Sequence, residues 1–402
     1  MLFTDITVLS LEQATVLPYL TYRLAVEGMN VIRIEHPERP DPNRFVGRDV
    51  LGEKGMNTYY FPNNVGKKAI TLNLTPPSPP CQGGEGQALL RELILQLDVD
   101  IFATNQLPRN YAKLGIDYER LRGIKEDIIW LGITGFGPES NEAAYDPILQ
   151  ARAGLMELTG EKGGQPMVFG LPMADLGASE HGYGQIMKAL YKRAATGEGS
   201  RIDISMFQSA VSWLVNPVLL TRSFGYKITR RGNTHEFFAP VSVYETKDGY
   251  VYIATGNDRQ WQTITEQAGF EGLYKEEYKT NAGRIADVKR LNEAINQATR
   301  TRTTAELIEL FNRIGVPIST VSTIEEVIED PHLKGKLISS QDPRTGTEVF
   351  LPPPPVITPY LESVNMQLPF PPRWGEHNEE IYGEVLGYDA HKLAELKEKG
   401  II

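Results

Sequence analysis

Cysteine is almost absent from this sequence, because only one of its 402 residues, Cys81, is a cysteine. A single cysteine excludes an internal disulfide and a metal site built from several cysteines. Cys81 stands in TPPSPPCQGGEG, a composition typical of a surface loop, so we expect it to have no catalytic role. The sequence also lacks a run of roughly 20 apolar residues, which a membrane helix requires, so no membrane is expected as a partner.

Several common catalytic motifs are missing as well. The loop after the first predicted strand, LEQATVLP, contains no glycine, which disfavours a dinucleotide-binding GxGxxG turn. Neither a GxxxxGK[ST] loop nor a GxSxG elbow occurs, which disfavours an ATPase and a serine hydrolase. The histidines form no HxxxH or HxH pair, so we expect no metal site.

An excess of basic residues is also absent. The formal net charge is −10, which argues against nucleic acid as a partner. Apolar residues make up 41% and charged residues 23%, as in an ordinary globular protein. The first residues, MLFTDITVLSLEQ, lack the basic start and long apolar run of a signal peptide, so we expect a cytoplasmic location.

What the sequence does contain is an alternation of strand and helix patterns in its first half. Strands are predicted at 6–11, 30–35, 69–74, 99–104, 127–135 and 201–205, with helices at 18–28, 87–97 and 211–220. Apolar residues at helical spacing predict a further helix after Asp175 that ends at Gly197. This alternation predicts an α/β fold with a parallel, Rossmann-like sheet covered by helices.

The pattern changes near residue 225. VSVYETKDGYVYIAT predicts a β-hairpin, two helical stretches follow at 259–268 and 286–314, and GVPISTVST returns as a strand. We therefore expect a smaller α+β domain at 225–330. The large domain comprises 1–224, to which a proline-rich C-terminal segment at 331–402 returns, with a final helix at 376–386.

One acidic residue, Asp175 in FGLPMADLGASEHG, allows two interpretations. It could cap the helix that begins near Ala178, where aspartate is favoured by the N-terminal amides and the helix dipole. It could instead be a nucleophile. Spacing alone favours the cap, and it likewise favours Tyr145-Asp146 in AAYDPILQ as a pair that opens a helix.

Segments in chain order resemble the class III CoA-transferase family, also called the formyl-CoA or carnitine CoA-transferase family. The resemblance spans nearly the whole chain and rests on VLSLEQ, NVIRIEHPERPDPNR, NNVGKKAITLNL, KLGIDYERL, YDPILQARAGLMELTG, MADLGASEHGYGQIMKALY, RAATGEGSRIDISMFQSAVSWL and GEHNEEIYGEVLGY. It implies a large α/β domain built from both chain ends. It also implies an interlocked dimer with an identical or related chain.

The resemblance further implies that Asp175 is the nucleophile. CoA would move from an acyl-CoA, such as succinyl-CoA, to an organic-acid carboxylate through aspartyl anhydride and aspartyl-CoA intermediates. No metal or redox cofactor would be needed beyond coenzyme A itself as substrate. Thr15 replaces a glutamine of the formyl-CoA branch, and THEFF replaces its glycine-rich lid, so formyl-CoA and oxalate are disfavoured and a larger or aromatic acid is expected.

Further site residues are implied by the same resemblance. Those expected near the acyl group are Tyr145, Asp146, Thr15 and the backbone N–H groups of Gly177, Ala178 and Ser179, which could stabilise an oxyanion or simply allow tight helix packing. Those expected to bind CoA are His36, where a relative uses arginine, Leu72, Asn73, Thr75, Asn105, Gln106, where an aromatic is usual, and Lys113, which could equally be a solvated surface lysine.

Two other functions stay open. A sister branch of the fold contains α-methylacyl-CoA racemases, but Tyr145 stands where their histidine base would be and cannot shuttle a proton near neutral pH without a large pKa shift. The chain could also be an inactive, CoA-binding subunit of a heteromeric transferase.

Overall fold

The structure, a computed structural model, describes residues 1–75 and 84–402. Cys81 and most of its proline-rich loop lie outside the described residues, so the expectations for them stay untested. The strands are β1 Thr7–Leu11, β2 Asn30–Glu35, β3 Lys68–Thr71, β4 Ile101–Thr104, β5 Ile129–Thr134, β6 Ser200–Ser205, β7 Val241–Glu245, β8 Tyr250–Ala254, β9 Ile318–Thr320, β10 Ile338–Gln341 and β11 Glu348–Leu351.

Sixteen α-helices are found in the described residues. They are α1 Val16–Ala25, α2 Glu85–Gln96, α3 Pro108–Leu114, α4 Tyr118–Arg122, α5 Asp146–Arg152, α6 Leu155–Leu158, α7 Met173–Thr196, α8 Met206–Ser212, α9 Val215–Phe224, α10 Asp258–Thr265, α11 Asn281–Ala286, α12 Val288–Thr299, α13 Thr304–Arg313, α14 Ile324–Ile328, α15 Pro359–Ser363 and α16 Ala390–Glu398. Short 3-10 helices cover Pro42–Phe45, Phe61–Asn63, Glu271–Leu273 and Glu276–Tyr278, and a π-helix covers Glu379–Val385.

A parallel sheet of six strands organises the fold, in the order β3-β2-β1-β4-β5-β6. Hydrophobic clusters lie on both of its faces, so β4 and β5 are buried along their whole length. The predicted α/β class with a parallel sheet is confirmed. In this strand order the connections diverge on either side of β1, and ligands of such sheets bind at the carboxyl ends of the strands near that point.

The sequence patterns located the strands better than the helices. The strand predicted at 30–35 has the same bounds in the structure, and the predicted hairpin is the antiparallel pair β7–β8. The prediction of a single helix at 211–220 is wrong, because Trp213 and Leu214 are not helical and separate α8 from α9. The helix predicted at 376–386 is a π-helix at Glu379–Val385, and α16 follows it.

The chain divides into two compact units. The larger one contains Met1–Leu155, Phe169–Leu219 and Gly335–Ile402, so both ends of the chain belong to it. Within it, the backbone N–H of His377 donates to the carbonyl of Ala69 in β3, and the side chain of Asn378 accepts from the backbone N–H of Thr71. The smaller unit contains Met156–Val168 and Leu220–Lys334 and has its own buried apolar cluster.

Candidate active site

The helix α7 carries Asp175 in its first turn and ends at Gly197, whose φ of 74° provides the left-handed cap. Small residues let α7 approach its neighbours closely. At Gly182 an added Cβ would lie 2.4 Å from Cδ1 of Leu20 in α1, and at Gly177 it would lie 3.1 Å from Nε1 of Trp213. The sequence around Asp175 therefore fixes this helix tightly against α1.

Asp175 does not cap its own helix. The N-cap position is Pro172, which has no side chain able to accept a hydrogen bond. The orphan amides are satisfied by another acid, since Oδ1 of Asp146 accepts from the backbone N–H of Ala174 at 2.7 Å and of Asp175 at 3.2 Å. The cap favoured by spacing alone is thus wrong for Asp175, because Asp146 from α5 takes that role.

Gln150 holds Asp146 in this position. The two residues are one turn apart in α5, and Nε2 of Gln150 donates to Oδ2 of Asp146 at 2.6 Å. The same amide donates to the carbonyl of Leu171 and accepts from the backbone N–H of Phe169. Because Gln150 is almost fully buried, these bonds fix the segment that leads into α7. Sequence reasoning missed Gln150, although its spacing of four from Asp146 was a usable signal.

The Asp175 carboxyl group has no hydrogen-bond donor among residues 1–75 and 84–402, although the side chain is only partly exposed. Burial raises the pKa of Asp175 to about 7, and the negative charge of Asp146 adds to the increase. A carboxylate without donors keeps all its lone pairs free for reaction. Such a pKa near the working pH is a mark of functional carboxyl groups.

The β1–α1 loop contacts both α7 and the carboxyl edge of the sheet. The hydroxyl of buried Ser179, one turn after Asp175, donates to the carbonyl of Val16 at 2.6 Å. Asn105, which follows β4, clamps the same loop by accepting from the backbone N–H of Gln13 and donating to its carbonyl. Thr15 is the N-cap residue of α1, without a side-chain cap bond. The β1–α1 loop, residues 12–15, therefore lies between α7 and the end of β4.

A cavity of about 280 Å³ lies on the other side of this loop, at the carboxyl ends of β1, β2, β3 and β4. Its lining residues are Leu11, Glu12, Gln13, Ile34, Glu35, His36, Arg39, Asp41, Leu72, Leu74, Thr75, Gln106 and Leu114. Four residues expected to bind CoA are among them: His36, Leu72, Thr75 and Gln106. The lining combines leucine and isoleucine side chains with a larger number of polar and charged ones, so the cavity can contact both apolar and polar parts of a ligand.

The other residues expected to bind CoA support the cavity or lie apart from it. Asn73 accepts from the backbone N–H of Thr75 and donates to the carbonyl of Gly400, so it shapes the loop after β3. Asn105 holds the β1–α1 loop, as described above. Lys113 is exposed in α3 and is not a lining residue.

Three acid–base pairs are buried beneath the cavity. Oε1 of Glu12 lies 2.8 Å from Nζ of Lys67, Asp41 pairs with Arg33, and Glu35 pairs with Arg44. All six side chains are almost completely buried, and burial lowers the pKa of Lys67 to about 8. Since each carboxylate has its own cation, the cavity floor is close to neutral. Breaking such a pair would leave an uncompensated buried charge.

The residues expected near the acyl group differ in exposure. Tyr145 is 77% exposed, whereas Asp146 is buried under α7. Gly177 is the fifth residue of α7, so its N–H and those of Ala178 and Ser179 donate to carbonyls within the helix. These amides are therefore not available to an oxyanion, and the small residues serve close helix packing instead. That packing was the alternative left open by the sequence.

Among the described residues, no group of three or more histidine, cysteine or acidic side chains is placed to hold a metal ion. No helix of residues 1–75 and 84–402 is long and apolar enough to cross a membrane.

Known proteins match this chain over nearly its whole length. A succinyl-CoA:glutarate CoA-transferase from Homo sapiens is 30% identical over 99% of this chain and 89% of its own. A succinate–glutarate CoA-transferase from Agrobacterium fabrum is 31% identical over 95% of both chains. An acetyl-CoA:oxalate CoA-transferase from Acetobacter aceti is 30% identical over 82% of this chain and 83% of its own.

Solved structures agree with the fold. A CaiB/BaiF family protein from Brucella suis has a TM-score of 0.79 and 29% identity, covering 94% of this chain and 98% of its own. A Mycobacterium tuberculosis protein at 22% identity has a TM-score of 0.74 over 93% of this chain and 96% of its own, and so shares the fold. The sequence profile of CoA-transferase family III matches residues 3–378. The chain therefore belongs to CoA-transferase family III and is an enzyme that transfers CoA between carboxylic acids.

Proposed function

We propose that Asp175 is the nucleophile of this CoA-transferase. Its carboxylate attacks the thioester carbonyl of the donor, the carbon–sulfur bond breaks, and a mixed anhydride and the CoA thiolate form. The thiolate then attacks the aspartyl carbonyl of the anhydride, which gives an aspartyl-CoA thioester and releases the donor acid. The acceptor carboxylate attacks this thioester, and the same two steps in reverse yield the new acyl-CoA and free Asp175.

One observation carries this proposal: the Asp175 carboxylate is partly buried yet receives no hydrogen bond from the described residues. Burial makes a carboxylate more reactive, because an unsolvated charge gains more by forming a bond to carbon. The capping bonds that would have occupied it are supplied by Asp146. In this proposal Asp146 and Gln150 position Asp175. Tyr145 and Thr15 contact the acyl group.

The cavity at the carboxyl edge of the sheet is the proposed site for the adenosine end of CoA. Its leucine and isoleucine side chains suit an adenine ring, its polar side chains suit a ribose, and its volume of about 280 Å³ is close to what a nucleoside needs. The pantetheine arm then follows the loop 13–16 toward α7. Support comes from the hydrogen bond between Ser179 and Val16, which places the first turns of α7 beside that loop.

The proposed substrates are succinyl-CoA as donor and a dicarboxylic acid of glutarate size as acceptor. Two relatives about 30% identical to this chain are named for succinate or succinyl-CoA together with glutarate. No cofactor other than coenzyme A as substrate enters the proposed steps, since each one is an acyl transfer between oxygen and sulfur.

We further propose that the working enzyme is a dimer, of identical or closely related chains. The helix α9 has no buried residue although it is rich in apolar side chains, and Val215, Val218, Leu219 and Phe224 are all at least 49% exposed. Trp213 just before it is 58% exposed. Exposed large apolar side chains on one helix are a feature of surfaces that face a partner.

A panel of acyl-CoA donors and carboxylic acids, followed by mass spectrometry, tests the proposal on the purified chain. We expect succinyl-CoA and glutarate to give glutaryl-CoA, and Asp175→Ala to lose nearly all of this activity. Asp5→Asn, which removes an exposed carboxylate far along the chain from α7, is the control. Near-full activity of Asp175→Ala would refute Asp175 as the nucleophile. An inactive wild-type chain would favour the alternative that the protein is a subunit that needs a different partner chain.

A further inference from the structure

The β1–α1 loop contains a left-handed residue that is not a glycine. Ala14 has a φ of 63°, a conformation that alanine rarely adopts because its Cβ crowds the following backbone. The other non-glycine residues with positive φ in the described part of the chain are Asp98, Asn365 and Met366. These three stand just after α2 or α15, where a left-handed residue commonly ends a helix. Ala14 instead precedes α1, so no helix end accounts for its conformation.

Side chains from other segments hold the backbone of this loop. The backbone N–H of Ala14 donates to Oδ1 of Asp41 at 3.0 Å. The preceding residue, Gln13, has both its N–H and its carbonyl bound to the side chain of Asn105. The left-handed turn is thus imposed by tertiary contacts, against the local preference of alanine.

Asp41 is a rigid anchor for the loop. It is buried, and Oδ1 also accepts from the backbone N–H of Asn43 at 3.0 Å, while Oδ2 accepts from Nη2 of Arg33 at 2.9 Å. Its own backbone N–H donates to Glu35. A carboxylate with this many partners has little freedom to follow a moving loop. Asp41 is also a lining residue of the cavity.

The other end of the loop leads to the proposed nucleophile. The carbonyl of Val16 accepts from the hydroxyl of Ser179 at 2.6 Å, and the same hydroxyl lies 2.8 Å from the carbonyl oxygen of Asp175. A continuous series of contacts therefore runs from the cavity lining at Asp41, through Ala14 and Val16, to the backbone of Asp175.

Backbone strain that surrounding contacts maintain is typical of functional sites, and small displacements of reacting groups strongly reduce the rate of a reaction. We propose that Ala14, held in its left-handed conformation by Asp41, positions the β1–α1 loop so that the thioester of the donor meets Asp175. Ala14 and Asp41 are positioning residues in this reaction. The inference rests on the proposed role of Asp175.

Substitutions at Ala14 test this role. Glycine and asparagine adopt a left-handed backbone readily, whereas β-branched valine does so only at a large cost. We expect kcat for transfer from succinyl-CoA to glutarate to stay within about threefold of the wild type in Ala14→Gly and Ala14→Asn, and to fall about 10- to 100-fold in Ala14→Val. The asparagine side chain extends further from the backbone than valine, so a loss with valine alone reports conformation and not obstruction.

Two measurements separate positioning from a general loss of structure. Affinity for free CoA, which has no thioester to place, should change by less than about threefold in all three variants when measured by calorimetry. Asp98→Val puts the same strain at an exposed left-handed residue before β4, at the opposite edge of the sheet. It should lower the urea midpoint, as Ala14→Val does, but leave kcat unchanged.

A matched pair of substitutions tests the anchor. Asp41→Asn and Asp41→Leu both remove the charge beside Arg33, but only asparagine keeps an oxygen that accepts from Ala14. We expect kcat to be about tenfold lower for Asp41→Leu than for Asp41→Asn, the effect of one hydrogen bond. This comparison decides the point if Ala14→Val does not fold.

The outcomes distinguish this inference from the proposed function. Equal kcat values for Ala14→Asn and Ala14→Val, or for Asp41→Asn and Asp41→Leu, overturn the positioning role while Asp175 remains the nucleophile. Near-full activity of Asp175→Ala overturns the proposed function, and this inference with it.

Discussion

One carboxylate oxygen of Asp146 lies 3.2 Å from the backbone nitrogen of Asp175 and accepts its hydrogen bond. Two acids thus meet at the start of α7, with separate tasks. Asp146 satisfies the helix amides and is held by Gln150, whereas the side chain of Asp175 is left without a donor among the described residues. Because like charges lie close together, Asp146 also makes Asp175 harder to ionise.

This pair predicts an acid limb in the pH profile of the transferase. The pKa of Asp175 is raised to about 7, and only the ionised carboxylate is a nucleophile. We expect kcat/KM to fall about tenfold for each pH unit below about pH 7. With the ordinary pKa of an aspartate, this fall would begin only below about pH 4. Asp146→Asn should move this limb to lower pH but not to the normal value, since burial, the larger cause, remains.

The pH profile is measured with a saturating acceptor acid and a limiting acyl-CoA, for the wild type and Asp146→Asn. Asp203→Asn, a change in a partly exposed acid paired with Arg201, is the control and should leave the limb in place. A limb at the same pH in Asp146→Asn and the wild type would contradict the electrostatic coupling.

Asp175→Asn is expected to stabilise the protein while it abolishes transfer. Burial disfavours the charged form of Asp175, so the folded state carries a cost that grows from about pH 4, where the unfolded carboxyl ionises, to about pH 7 and stays constant above. We expect the free energy of unfolding to rise by about 1–3 kcal/mol at about pH 8, with no gain below about pH 4. Urea titrations at several pH values measure it, and a loss of stability at alkaline pH would be inconsistent with a buried carboxylate.

Ser179→Ala should loosen α7 from the β1–α1 loop. It removes the side-chain hydrogen bond to the buried carbonyl of Val16, which keeps its helical bond from Leu20, so we expect a loss of about 0.5–1.5 kcal/mol. Ser363→Ala removes a similar bond to a carbonyl, that of Tyr360, but at an exposed position where water replaces it. We expect chemical denaturation to show a clear loss for Ser179→Ala and almost none for Ser363→Ala. Equal effects would mean that the Ser179 bond has no special role.

Two glycines of α7 make opposite predictions. An added methyl group at Gly182 would lie 2.4 Å from Leu20, so Gly182→Ala should overpack the contact with α1 and destabilise by about 1–3 kcal/mol. At Gly184 nothing lies within 4 Å, so Gly184→Ala should stabilise by up to about 1 kcal/mol through helix propensity. Thermal melts of both variants decide the point; a stabilised Gly182→Ala protein would show that α1 and α7 are less tightly packed.

The sequence predicted the parallel sheet because its strands are short apolar runs between helices, as in NVIRIE, which forms β2 with the predicted bounds. It gave no sign that Arg33 and Glu35 of that strand are buried in ion pairs, since their partners Asp41 and Arg44 come from the turn after β2, whose path the strand pattern does not specify. The helix cap was misassigned for a different reason. Local spacing favours Asp175, but the acceptor of its backbone N–H lies 29 residues earlier in the chain.

Some residues of the candidate site were also predicted from the sequence, and others were missed. His36 and Leu72 were expected to bind CoA from the family resemblance, and in the structure they follow β2 and β3 and line the cavity. Gln150 was missed, because its importance depends on its hydrogen bonds to the segment before α7. Lys113 was expected to bind CoA from the family resemblance, with a solvated surface lysine as the alternative, and in the structure it is exposed and is not a lining residue of the cavity.

Chemical trapping tests the central claim most directly. The protein is incubated with succinyl-CoA without an acceptor acid, quenched with hydroxylamine, digested and analysed by tandem mass spectrometry. The account predicts a hydroxamate at Asp175 that requires the acyl-CoA and is missing from Asp175→Asn. An unmodified Asp175 with a hydroxamate on another acid, or CoA transfer at the wild-type rate by Asp175→Asn, would contradict it.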